Sequence, residues 1–180
     1  MIEQAIRNSV RRAYQYRCGY CGVHEDEAGT LLKIDHFRPR SAGGDSELEN
    51  LVYCCPTCNR RKGDFWPVAE QVTTQRLWHP HRDHLDEHFF EHLDGRLIAL
   101  TETSAFYIER LQLNRPPLIT LRRTRREVAL MRNGLKLAQE EQTRLRQRVE
   151  TLSQALDEVL EQLAHLSISS LQPGETSGKT

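Results

Sequence analysis

Four cysteines fall into two pairs, Cys18-x₂-Cys21 and Cys55-x₂-Cys58, with Asp35, His36, Asn50 and Asn59 placed between and just after them. Two thiols at this spacing can grip one Zn²⁺ from a tight turn, and two such pairs complete a closed tetrahedral structural site. Cys54 could stand in for Cys55. Strand alternation and the x₂ spacing favour Cys55, which leaves Cys54 as a buried thiol. The segment between the pairs is small and loop-rich, so bound metal would supply much of its folding free energy.

Asp35 followed directly by His36 sets a hard oxygen ligand beside a base of near-neutral pKa. Alone, such a pair more often serves capping or surface polarity. Here Asn50 leads a second strand candidate and Asn59 opens the helix after the second knuckle, and zinc would fix that helix against the Asp35-His36 strand. Arg38, Arg40, Arg60, Arg61 and Lys62 flank these groups and suit contact with phosphate, with Lys62 one helical turn after Asn59 and expected as a catalytic residue that reaches the transition state.

The elements that must position them can be read from local pattern. Residues 2–16 carry apolar side chains at helical spacing. "LLKID" (31–35) and "NLVYC" (50–54) are strand candidates joined by a polar loop with Gly43-Gly44 as its hinge. Pro56 suits a first helical residue, and Gly63 and Pro67 bound a short helix. Asp94-Gly95 predicts a hairpin turn, and Thr103 is expected to cap a helix running to about Leu113. His79, His81, His84, His88 and His92 are expected as core or surface histidines rather than a second metal site, and Trp66, Trp78, Phe89 and Phe90 as core.

Taken together, Cys-x₂-Cys, "DHFRPRSAGG", "ENLV" and "CPTCNRRKGD" resemble the HNH endonuclease family over roughly residues 14–66, in its zinc-stapled form with Asn as the last signature residue. The resemblance implies a ββα-metal core in an α+β fold and hydrolysis of DNA phosphodiester bonds. It implies Asp35 and Asn59 as ligands of a catalytic Mg²⁺ or Mn²⁺, His36 as general base, and Asn50 as the residue that holds the loop. Asn59 stands where many members have a third His. An oxygen in place of that nitrogen biases the site towards Mg²⁺ or Mn²⁺.

From about Leu118 to Ser167 the pattern changes. Val128, Leu135, Gln142, Val149, Leu156 and Leu163 occupy a positions, and Met131, Ala138, Leu145, Leu152, Val159 and Leu166 occupy d, nearly six heptads without a slip. This predicts a coiled coil that makes a homodimer or recruits a partner subunit, with one long helix on its own domain as the plainer reading. The expected organisation is a nuclease domain over 1–117, a long helix over 118–167 and a disordered tail over 168–180.

Charge narrows the class further. The chain has 25 basic and 25 acidic residues, yet residues 115–132 hold six Arg against one Glu, a separation that suits contact with a polyanion. No run of apolar residues is long enough for a membrane span, and the start lacks the apolar core of a secretory signal, so a cytoplasmic protein with reduced cysteines is expected. The leading reading is a nuclease subunit of a bacterial defence or mobile-element system acting on DNA. The alternative is a non-catalytic zinc-ribbon adaptor for nucleic acid or protein with a coiled-coil arm. The intact set of Asp35, His36 and Asn59 argues against it.

Overall fold

The computed structural model describes residues 3–68 and 75–169, with side chains as far as Ala164. It is an α+β chain that divides into two compact units, one up to Arg126 and one from Glu127 onward. The tail beyond residue 169 lies outside the described residues.

In the first unit, helix α1 (Gln4–Ala13) is followed by a single-turn helix α2 (Glu25–Ala28), strand β1 (Lys33–His36), strand β2 (Leu51–Cys54) and helix α3 (Pro56–Lys62). Helix α4 (Leu85–His88), the hairpin β3 (Phe89–Glu91) and β4 (Leu97–Ala99), and helix α5 (Glu102–Leu111) complete it, together with the first turns of α6 (Pro116–Ser169). β1 and β2 pair antiparallel with Asp35 opposite Val52 and His36 opposite Leu51. β2 is buried along its whole length, as its unbroken run Leu51, Val52, Tyr53, Cys54 dictates.

Local chemistry explains the element ends. Pro56 is the first residue of α3, where its missing N–H costs nothing. The hairpin turns at Asp94, whose carboxylate accepts from the Arg96 N–H at 2.9 Å. α5 is capped earlier than expected: Thr101, not Thr103, accepts from the Ser104 N–H, and the Ser104 hydroxyl accepts in return from the Thr101 N–H. Thr103 is buried inside the helix. The reciprocal box satisfies two orphan donors, which a lone cap at Thr103 would not.

Tyr53, Tyr107, Leu32, Leu51, Leu111 and Leu113 centre the core. Trp78 and Phe89 belong to it. Trp66 and Phe90, expected there, are exposed instead: Trp66 makes an edge-on contact with Phe37, and Phe90 pairs with the exposed Ile98 on the open face of the hairpin. The Tyr107 hydroxyl donates to the Tyr20 carbonyl at 2.9 Å and so ties α5 to the first cysteine turn.

The arginines of residues 115–132 are mostly engaged within the protein. Arg122 is buried and donates to the Gly95 and Leu113 carbonyls at 2.6 and 2.7 Å, Arg125 pairs with Glu27, and Arg126 pairs with Glu91. The expected polyanion stripe is in large part a set of internal ties.

A buried carboxylate joins α1 to the sheet. Glu25 accepts two bonds from Arg11, at 2.7 and 2.6 Å, and one from the Tyr53 hydroxyl. Arg11 holds its pKa below the ordinary 4.5. The stability this contributes is present above the unfolded-state pKa and is lost as pH falls through the folded one. Urea denaturation stepped down from neutral pH should show wild-type stability falling through the carboxylate range, whereas Glu25→Gln should be weaker at neutral pH and flatter across it.

Candidate active site

The first cysteine turn and the start of α3 bring four sulfurs together. The ligand atoms of Cys18, Cys21, Cys55 and Cys58 all lie within 4.8 Å of one another, and this is the one metal-holding cluster of its kind among the described residues. Cys21 and Cys55 sulfurs are 3.8 Å apart, the edge of a tetrahedron built on Zn–S bonds of about 2.3 Å. The donor set and spacing fit zinc. Cys54 stands outside the cluster, buried in β2, where burial pushes its thiol pKa up. Among the described residues the histidines of residues 79–92 form no metal-holding cluster: His79 packs on Phe37, His81 on Tyr14, and His88 bonds Thr101.

Four thiolates around one Zn²⁺ leave a net charge of −2, and the protein answers it. Arg115, just before α6, directs a guanidinium N–H at Cys58 Sγ at 3.8 Å while its other nitrogen donates to the Leu111 and Gln112 carbonyls. Cys55 also caps α3, with its sulfur accepting from the Cys58 N–H at 3.4 Å.

Beside this cluster β1 presents Asp35 and His36. One carboxylate oxygen of Asp35, Oδ2, accepts from the Tyr20 hydroxyl at 2.6 Å and meets Lys62 Nζ at 3.0 Å. Its other oxygen has no hydrogen bond among the described residues. Lys62 differs from the expected phosphate contact: it is 0% exposed, and its ammonium also donates to the His36 carbonyl at 2.9 Å and the Gly63 carbonyl at 3.3 Å. A fully enclosed ammonium cannot reach a phosphate. It holds Asp35 and the end of β1 in place.

α3 packs against β1. Asn59 precedes Lys62 by three residues and therefore shares its helix face. Its side chain is half-buried and without a hydrogen bond among the described residues.

The loop between the strands is organised by Asn50. Its Oδ1 accepts from the Arg38 N–H at 2.7 Å, and its Nδ2 donates to the Asp45 and Arg38 carbonyls at 2.8 and 3.1 Å. Gly44 makes this closure possible, since a Cβ there would lie 1.8 Å from the Arg38 carbonyl oxygen. The closed loop delivers Ser46, whose Oγ lies 3.0 Å from His36 Nε2 and accepts from Arg40 at 2.9 Å. His36 is held below its ordinary 6.5, first by burial and then by the Arg40 guanidinium.

Arg38 bonds the Ala42 carbonyl and lays its guanidinium over Trp66, 5.4 Å from the ring centre. Arg38, Arg40 and Arg60 are exposed and Arg61 half-buried. Tyr20, Ser46 and Arg115 were not singled out from sequence. Tyr20 had a signal, since it sits inside the first cysteine pair. Ser46 lies in a polar loop and Arg115 more than fifty residues from the sulfur it serves, so neither could be assigned from spacing.

Residues 18–65 match the family model for HNH endonuclease. This segment is an HNH domain. The match covers just over a quarter of the chain, from the first cysteine to just past α3, and includes both cysteine pairs, Asp35, His36, Asn50 and Asn59. Neither the search of curated proteins nor that of solved structures returned a match.

Two outcomes follow for the HNH segment. Zinc-loaded Arg115→Ala should lose zinc to a chromogenic chelator roughly tenfold faster than wild type, as removal of a ligand's outer partner generally does. An unchanged rate would mean the thiolate charge is balanced elsewhere. Lys62→Met should lower the unfolding free energy by about 3 kcal/mol, because it strips the cation from a largely buried carboxylate. A loss under about 0.5 kcal/mol, the scale of an ordinary surface change, would contradict the tie.

Proposed function

We propose that this chain is a metal-dependent endonuclease that hydrolyses DNA phosphodiester bonds. The observations that carry the reading are an Asp35 carboxylate oxygen without a hydrogen bond among the described residues, a neighbouring His36 oriented by Ser46, and an uncommitted Asn59 amide on the helix that packs against their strand. Asp35 through its second oxygen and Asn59 through its amide oxygen would hold Mg²⁺ or Mn²⁺, hard ions that take oxygen ligands. Bound there, such an ion neutralises charge on the scissile phosphate and on the leaving oxygen.

His36 acts as the general base. Its Nε2 is engaged by Ser46, so the imidazole has a set orientation, and Nδ1 is the ring nitrogen left to take a proton from the attacking water. Water then adds to phosphorus as the bond to the leaving oxygen breaks. Burial, and after it the Arg40 guanidinium, disfavour protonation of the imidazole. Asn50 contributes indirectly, as a positioning residue for the loop that carries Ser46. Tyr20 and Lys62 orient Asp35 so that one oxygen faces away from the protein donors. Arg38, Arg40, Arg60 and Arg61 supply phosphate contacts along the strand.

No element of the described chain presents a recognition helix to a groove, so specificity is assigned to DNA structure or to a partner. The long helix is the arm for a second subunit. The setting we favour is a cytoplasmic nuclease subunit of a bacterial defence or mobile-element system. No helix is long and apolar enough to cross a membrane.

The test is nicking of supercoiled plasmid with added Mg²⁺ or Mn²⁺ by wild type and His36→Ala at matched zinc content. Metal-dependent cleavage that disappears in the variant supports the reading. Metal-dependent cleavage by both proteins removes His36 as the base, and DNA binding without cleavage by either would favour the zinc-ribbon adaptor. The acidic limb of the cleavage pH profile should fall below pH 6.5, the ordinary histidine value. Arg40→Gln should move that limb to higher pH, because a nearby positive charge no longer opposes protonation.

A further inference from the structure

Every described residue of the second unit, Glu127 to Ala164, is exposed, including an apolar stripe that runs along the a and d positions from Val128 to Val159. Met131 at one end is 72% exposed and Val159 at the other 51%. The helix is continuous across this span, so the stripe is a single seam rather than a scatter of surface leucines. The opposite face is largely polar, with Lys136 and Glu140 in an i,i+4 pair and Leu130 and Leu137 as its exposed apolar exceptions.

We propose that the seam is covered by a second copy of this chain, aligned parallel and in register. This deepens the partner reading given above and is independent of whether the chain cleaves DNA. The polar a residue Gln142 decides the alignment. In a parallel pair in register, Gln142 meets the partner subunit's Gln142, and the two amides each offer a donor and an acceptor. Reversing one helix with full overlap of the seams sets Gln142 against a leucine, Leu145, and leaves its amide without a match.

The flanking charges agree. Glu127 and Glu141 at g fall opposite Arg132 and Arg146 at e of the second copy, and no g–e contact along the seam joins like charges. The reversed pair keeps one kind of opposite-charge contact, Glu141 with Arg148.

The experiment uses the full zinc-loaded chain. Light scattering should give twice the 20.9 kDa chain mass. Val159→Cys, at a d position near the far end, should form a disulfide-linked dimer under mild oxidation that wild type does not. In the reversed pair the two introduced thiols would lie roughly 45 Å apart, taking a 1.5 Å rise per residue, and could not join. The double variant Leu145→Asp and Leu152→Asp should halve the mass and retain its zinc. A wild-type mass of one chain overturns self-association. A dimer that Val159→Cys fails to link overturns the parallel alignment, and a dimer that survives the double variant removes the seam as its interface. None of these readings uses cleavage, so an inactive but dimeric protein would sink the nuclease reading and leave this one standing.

Discussion

The four-sulfur cluster is the constraint on which the nuclease-like unit depends. It joins the turn at residues 18–21 to the start of α3, two segments more than thirty residues apart in the chain. Cys55 is at once a cluster member and the cap of α3, so the helix begins where the cluster is. That fixes the helix against β1, and only then does Lys62 meet Asp35. The cluster also reaches outwards. Its charge draws Arg115 from the junction of α5 and α6, and Tyr107 of α5 bonds back to the turn that carries Cys18 and Cys21. A metal held there would supply stability that a small domain otherwise takes from a larger hydrophobic interior.

Electrostatics within that frame are arranged by burial. An ammonium enclosed as Lys62 is would be costly unless paired, and Asp35 with two backbone carbonyls supplies what water would have given. The pairing uses one face of the carboxylate and leaves the other. Tyr20, from within the cysteine turn, occupies the same oxygen as Lys62, so the two donors act together in setting the carboxylate's direction. A parallel arrangement serves His36: Asn50 closes the loop, the loop brings Ser46, and Arg40 both anchors Ser46 and opposes protonation of the ring. Asp35 and His36 are thus each positioned by neighbours drawn from other segments.

Much of the site was legible because its logic is local. Cysteine pairs at x₂ spacing, Asp next to His, Pro at a helix start and an Asp-Gly turn are set by short-range geometry, and each appears where its spacing requires. The separation of Cys55 from Cys54 followed from strand alternation, and the sulfur cluster bears it out. Long-range electrostatic partners were not legible. Lys62 reads as a phosphate ligand from its basic neighbours, and nothing in "NRRK" says which of the four side chains turns inward. Arg115, Arg122, Arg125 and Arg126 likewise find partners within the protein, as distant as Glu27.

The sequence by itself determined the elements, the sulfur set and the heptad seam, because these rest on periodicity and on ligand spacings of a few residues. Only the tertiary structure decided that Tyr20 and Lys62 share one oxygen of Asp35, that Ser46 meets His36, and that Arg115 faces the thiolates. Those contacts join segments that approach one another only after the core has closed, and a charge's role depends on which partners and how much water then surround it.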